Sequence, residues 1–122
     1  MESGLTGLVT LLGRGNPEVT AAMVVDAAGR VQASEAVAPE VARAAVAMVV
    51  PLRDFLDRAA ADLGCGVLRG TVVEGSEATF ALADVDGDRT AIVIGASGAA
   101  IGAIRADALW LADELRRGAG AS

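Results

Sequence analysis

The segment from Pro39 to Leu63 is predicted to form one helix with more apolar surface than a single neighbouring layer can cover. Its centre, Ala44 to Leu52, has no charged residue. A helix on the surface of a globular domain normally shows one apolar stripe, but at ~100° per residue this segment has two. The predicted core face carries Val41, Ala45, Met48, Leu52, Phe55, Leu56, Ala59 and Leu63, and the second face carries Ala42, Val46, Val49, Val50 and Ala60. We therefore expect another protein chain to cover the second face.

Composition restricts the function classes. The chain has 122 residues, a net charge of −6 and no His, Lys or Tyr. Without His or Lys, the usual general base near neutral pH, the Schiff-base amine and the commonest metal ligand are missing. The negative charge argues against binding to a nucleic-acid backbone. We expect a protein with no cofactor and no enzymatic activity.

Length and charge distribution also predict the organisation of the chain. A chain of this size has room for one ordinary core, so we expect a single domain over residues 1–117 and a disordered tail over 118–122. The N-terminus lacks the basic region of a signal peptide. The longest uncharged run, Thr90 to Ile104, is too short to span a membrane. The single cysteine, Cys65, fits a reducing compartment, so we expect a cytoplasmic protein.

Hydrophobic periodicity predicts an α+β domain. A short first helix carries Leu5, Leu8, Val9 and Leu12. Strands are predicted at 19–26, 30–34, 67–74, 78–84 and 90–95, and a last helix at 99–117. The first and last strands are apolar on both faces and should be central neighbours, whereas 67–74 suits an edge. The order is α-β-β-α-β-β-β-α, with a five-stranded antiparallel sheet between helices. Gly29 is the expected left-handed hairpin residue, and Pro51 should kink the long helix.

Two motifs resemble ligand sites. The run from Ala91 to Gly102 looks like the strand, Gly-rich turn and helix of short-chain dehydrogenases. However, no following strand carries the acidic residue that a dinucleotide site needs, so a tight packing turn is the better interpretation. The run from Asp84 to Asp88 suggests a calcium loop, but its Gly87 is fourth where an EF-hand needs glycine at position six. A polar hairpin tip is the better interpretation there.

The order of these elements resembles the roadblock/dynein-light-chain family, including bacterial MglB-like proteins. The resemblance rests on the helix from Leu5 to Leu12, the run from Val19 to Ser34 with its Asp-x-x-Gly, the apolar second helix, Thr71-Val-Val-Glu74 and Ile101-Gly-Ala-Ile-Arg105. The resemblance covers nearly the whole chain, and the family has no catalytic signature. Pro51 and the glycine-rich first helix depart from the pattern.

The resemblance implies a homodimer formed through the long helix and the edge strand after it, acting as regulator or scaffold of a Ras-like small GTPase. The expected dimer interface consists of Ala42, Val46, Val49, Val50, Arg53, Arg69 and Thr71. The expected partner-binding residues are Arg43, Asp54 and Arg58, on the polar face of the helix. Met48 and Leu52 are expected in the protomer core.

Two other function classes stay open. The main alternative is a small-molecule sensor of the profilin, PAS or GlcG kind, which shares the sheet-and-helix architecture. An enzyme is the third class. A sensor needs a cavity of about 300 Å³ or more, whereas a scaffold can be solid.

Overall fold

A five-stranded antiparallel sheet with helices on both faces forms the part of the chain that the computed structural model describes, residues 7, 9–10, 12, 15–96 and 98–119. The elements are β1 (Val19–Asp26), β2 (Val31–Glu35), α1 (Pro39–Asp62), β3 (Gly70–Glu74), β4 (Ala78–Asp84), β5 (Arg89–Ala96) and α2 (Ile101–Glu114), followed by a π-helical turn (Leu115–Ala119). This order confirms the predicted α+β fold. Of the predicted first helix, Leu5 and Leu8 lie outside the described residues, whereas Val9 and Leu12 are helical and buried.

The strands are arranged in the order β2-β1-β5-β4-β3. The first and last strands of the chain are therefore central neighbours, and β3 is an edge, as predicted. The edge strand β2 is irregular, because Val24 pairs with Ala33 and Val25 pairs with Val31, which leaves Gln32 without a partner on β1. The other edge, β3, pairs with β4 residue by residue without interruption.

The two faces of the sheet carry side chains of different size. Small residues of the central strands, such as Ala22, Ala81 and Ala91, face α2 and form one core with Ile104 and Leu111. The opposite face carries large side chains and packs against α1. This second core contains Met23, Val25, Val49, Leu82 and Ile92, with Phe80 and Ile94 half-buried at its margin.

The rotation of α1 differs from the prediction. Val49 is 6% exposed and is packed into the core under α1, whereas Met48 is 59% exposed and Phe55 is 63% exposed. The expectation that Met48 lies in the protomer core and Val49 in the association surface is therefore wrong. The sheet face below α1 already carries Met23, Leu82 and Ile92, so the smaller residues of the helix fit closest to it. Ala42, Ala45, Val46 and Leu52 also pack against this core.

The predicted left-handed glycine of the first hairpin is confirmed, whereas other local predictions stay untested. Gly29 and Gly87 adopt positive φ angles of 80° and 89° in their hairpins, a region that glycine enters without steric cost. The helix α1 continues through Pro51 to Asp62, and the kink expected at Pro51 stays a prediction. The domain boundary at 117 and the disorder of 118–122 stay predictions, since the π-helical turn runs through Ala119 and residues 120–122 lie outside the described part.

Candidate partner-binding surface

An apolar stripe on α1 is exposed to solvent. It consists of Val41, Ala44, Met48, Pro51 and Phe55, which we call the α1 stripe. Successive residues of the stripe are alternately three and four positions apart. This is the heptad spacing with which one helix packs along another. Isolated exposed apolar residues are ordinary, but a contiguous row of this kind marks a surface that another molecule covers.

The α1 stripe borders a part of the sheet that α1 does not cover. Val73, Phe80 and Ile94 lie in one cross-strand row on the α1 side of the sheet, since Val73 pairs with Phe80 and Phe80 pairs with Ile94. Phe80 and Ile94 are only half-buried, and Val73 is exposed. The flank of α1 with Val50 and Asp57 faces the tips of the β1–β2 and β4–β5 hairpins. Helical geometry places Met48 and Phe55 on the opposite flank, which is nearer this row. The α1 stripe and this row of the sheet are both exposed or half-buried and apolar, and we call them together the apolar corner.

The three predicted partner-binding residues lie on the outward, charged flank of α1. Arg43, Asp54 and Arg58 are all exposed, and none of them forms an ion pair within the described residues. Helical spacing brings Arg43 and Asp54 to the same side of the helix and puts Arg58 beside Pro51. These charges are therefore available to a partner without breaking an ion pair in the described part of the chain.

Arg53 points into the protein. Its side chain is 16% exposed and forms an ion pair with the carboxylate of Asp84 at the end of β4. It also donates hydrogen bonds to the carbonyl oxygen of Arg89 and to the hydroxyl of Thr90, each at 3.1 Å. The charged end of Arg53 is therefore held by the β4–β5 hairpin within the protomer, and its place in a dimer interface stays a prediction. The sequence gives no direct signal for this contact, since Arg53 and Asp84 are far apart along the chain.

The other predicted interface residues divide into two groups. Ala42, Val46 and Val49 face the protein's own sheet, and Val50 is half-buried at the side of α1 that faces the hairpin tips. Arg69 and Thr71 lie at β3, where Arg69 is exposed and Thr71 is half-buried opposite Leu82. Ala44 and Pro51 of the α1 stripe were not assigned to either predicted face, and Val41, Met48 and Phe55 were assigned to the core face. The 3-4-3-4 spacing of the stripe was the available signal.

The tip of the β4–β5 hairpin is polar and internally bonded. Asp84 accepts a hydrogen bond from the N–H of Gly87 at 2.9 Å, and Asp86 accepts one from the N–H of Asp88 at 3.1 Å. Burial opposes the ionisation of Asp86, but the hydrogen bonds donated by Arg89 and Asp88 outweigh it, so the pKa of Asp86 lies below its ordinary value of 3.8. The carboxylates are therefore engaged within the turn, as a hairpin tip requires. In the described part of the chain, no group of three acidic or cysteine side chains is arranged to hold a metal ion.

Four clefts lined by described residues are small or open. Those at the edges of α1 hold about 10 Å³ and 80 Å³, and one beside Thr20 and Glu35 holds about 170 Å³. A wider depression of about 420 Å³ lies between the tips of the β1–β2 and β4–β5 hairpins and is open to solvent. A sensor pocket normally encloses most of its ligand, and none of these four clefts does so. None of the described helices is long and apolar enough to span a membrane.

Solved structures show which fold this is. Neither a protein-family model nor a curated protein matches the sequence. MglB of Myxococcus xanthus superposes with a TM-score of 0.86 at 14% identity, covering 98% of this chain and 90% of that one. A roadblock/LC7 domain from Streptomyces avermitilis gives 0.80 at 20% identity, covering 91% and 93%. Profilin II of Acanthamoeba castellanii gives a lower TM-score of 0.63 at 20% identity, covering 95% and 98%. The chain has the roadblock fold, as its sequence predicted.

Proposed function

We propose that this protein is a non-enzymatic, cytoplasmic regulator or scaffold that works as a homodimer and binds a Ras-like small GTPase in bacterial signalling. The observation that carries the proposal is the exposed α1 stripe beside the half-open sheet face. A likeness to MglB and to a roadblock/LC7 domain supports it, together with the family resemblance of the sequence.

The second copy of the chain is the occupant that best fits the apolar corner. On the α2 side of the sheet, Val9 and Leu12 pack beside α2, whereas α1 is the one described helix on the other side. That side has room for a second helix along the α1 stripe, and the partner's α1 supplies one with a matching seam. In a twofold arrangement each helix presents the same surface to the other, so a self-complementary stripe satisfies both protomers.

The two sheet edges differ in their ability to take part in the dimer. The edge strand β3 is regular from Gly70 to Glu74 and can pair with another strand. The edge strand β2 is interrupted at Gln32, and such irregularities disfavour strand addition. Since β3 follows α1 in the chain, a dimer built on both elements uses Arg69 and Thr71 together with the α1 stripe.

The charged flank of α1 is proposed as the GTPase contact. Arg43 and Asp54 lie away from the α1 stripe and stay exposed when a second copy covers it, whereas Arg58, beside Pro51, lies at the border of the stripe. Two such flanks on one dimer form a wider charged surface than a monomer offers. Contacts between exposed charges are screened by salt, so binding to the GTPase should weaken as the ionic strength rises.

Light scattering of two matched variants tests the dimer. The wild type should have twice the mass of the 12.1 kDa chain at micromolar concentration. Met48→Asp should give monomers, because it places a charge within the buried seam. The control is Ala47→Asp, which adds the same charge one residue away and off the α1 stripe. A wild type that is monomeric at all concentrations contradicts the dimer, and so does an equal effect of both variants.

Calorimetry tests the GTPase partner. The wild type is titrated with genomically adjacent Ras-like GTPases loaded with GDP or with a GTP analogue. We expect binding that differs between the two nucleotide states and is lost in Met48→Asp. If no GTPase binds in either state while a small metabolite does, the sensor function replaces this proposal.

A further inference from the structure

The β4–β5 hairpin tip stands beside the charged flank of α1. Between them lies a cleft of about 80 Å³ lined by Val50, Asp54 and Asp57 of the helix and by Gly87 and Asp88 of the tip. At ~30 Å³ per water molecule, this volume is too small for a metabolite but large enough for the end of one side chain. The tip therefore extends the surface of α1 sideways.

The side chain of Arg53 positions the β4–β5 tip relative to α1. It is the α1 residue whose side chain bonds to both strands of the hairpin, through Asp84 of β4 and through Arg89 and Thr90 of β5. The carboxylate of Asp84 also accepts a hydrogen bond from the N–H of Gly87 within the turn. A chain of polar contacts thus leads from the helix to the tip.

Asp88 is exposed at the end of this chain of contacts. Its side chain forms no ion pair within the described residues. Asp54, on the facing side of the cleft, has none either. Asp54 and Asp88 are exposed residues of this cleft, which Asp26 of the β1–β2 hairpin lines as well, so the cleft favours a partner that offers a cationic side chain.

We infer that the β4–β5 tip is a second wall of the partner-binding surface and that Arg53 is the positioning residue that holds it there. This inference rests on the proposed function, since the partner is the same GTPase. It assigns Arg53 to the binding of the partner through the hairpin, without direct contact and without a part in dimerisation.

Hydrogen exchange tests the positioning in the isolated protein. Arg53→Met keeps an unbranched, mostly aliphatic side chain and removes the guanidinium donors, so exchange at the amides of residues 86–89 should become at least tenfold faster. Arg53→Lys should restore part of the protection. The control is Arg30→Met, which removes the ion pair with Asp26 in the other hairpin and should leave residues 86–89 unchanged. No acceleration in Arg53→Met overturns the inference.

A double-mutant cycle on binding separates positioning from general loss of structure. In the wild-type background, Asp88→Asn should weaken GTPase binding about fivefold, the effect of one exposed ion pair. In the Arg53→Met background it should have almost no further effect, because the tip is no longer held against the partner. Light scattering should show the same dimer mass in all four proteins.

The outcomes distinguish the two proposals. If the wild type binds no GTPase, the proposed function fails and this inference fails with it. If the wild type binds but the two substitutions act additively, or Asp88→Asn has no effect on its own, the proposed function stands and the tip is not part of the surface.

Discussion

Arg53 and Arg116 bind the same residue, Asp84, from opposite faces of the sheet. Arg53 extends from α1 to the carboxylate of Asp84. Arg116 extends from the π-helical turn after α2 and donates to the carbonyl oxygen of Asp84 at 3.0 Å and to that of Val85. The base of the β4–β5 hairpin is thus held between two guanidinium groups. Because each arginine satisfies acceptors at the end of a strand, the hairpin is anchored to both helical layers.

We predict that these two anchors are coupled. Arg53→Met and Arg116→Met should each lower the free energy of unfolding by about 1 to 2 kcal/mol, since each removes hydrogen bonds from a charged donor. The double variant should be less destabilised than the two effects summed, by about 1 kcal/mol, because a hairpin released on one face is held less tightly on the other. Urea denaturation of the four proteins measures this coupling. Strict additivity contradicts a shared role.

The corrected rotation of α1 predicts two kinds of stability loss. Val49→Ala removes buried methyl groups from the core under α1 and should cost about 2 kcal/mol, whatever the protein concentration. Met48→Ala removes little from the protomer core, so its effect should come from the dimer and fall as the protein is diluted. Thermal unfolding at two concentrations a hundredfold apart separates the two. An effect of Val49→Ala that depends on concentration contradicts the assignment of faces.

The sequence predicted the positions of the helices and strands better than it predicted which face of α1 packs against the sheet. Alternation of apolar residues located β1 and β4 and showed which strands are central, because a strand covered on both faces differs clearly from an edge. A helix that is apolar on two sides gives no such signal. The choice between Met48 and Val49 depends on the large side chains of Met23 and Leu82 across the sheet, and on Arg53 reaching Asp84. Both are contacts between residues distant in sequence, which periodicity does not report.

We predict that an alanine at position 70 destabilises the edge strand β3. A Cβ atom at this position would lie 2.7 Å from the carbonyl oxygen of Leu82, and the backbone of a paired strand cannot easily move away. Gly70→Ala should therefore destabilise the protein by about 1 to 3 kcal/mol and weaken the dimer. Gly102→Ala is the matched control, because its Cβ would meet nothing within 4 Å on the exposed side of α2. That variant should be as stable as the wild type or up to ~1 kcal/mol more stable. Chemical denaturation with light scattering measures both, and equal effects contradict the predicted clash.

Asp86 makes stability depend on pH in the acid range. Hydrogen bonds from Arg89 and Asp88 outweigh the effect of burial and lower the pKa of Asp86 in the folded protein from the ordinary value of 3.8. As the pH falls, the carboxyl group of Asp86 is protonated in the unfolded chain before it is protonated in the folded protein. The contribution of Asp86 to the free energy of unfolding is therefore complete above about pH 5 and is lost as the pH falls through the lower pKa of the folded protein. Asp86→Asn should flatten this part of the curve of unfolding free energy against pH. An unchanged slope contradicts the assignment.

The interruption of β2 at Gln32 has a consequence for the size of any assembly. A sheet with two regular edges can add copies at both ends and grow into a fibre. In this protein the regular edge is β3, and β2 has an unpaired residue where a neighbouring strand would need continuous register. If two copies join through β3, their sheets merge and both regular edges are consumed. What remains outside is a β2 strand at each end, so growth stops at two protomers.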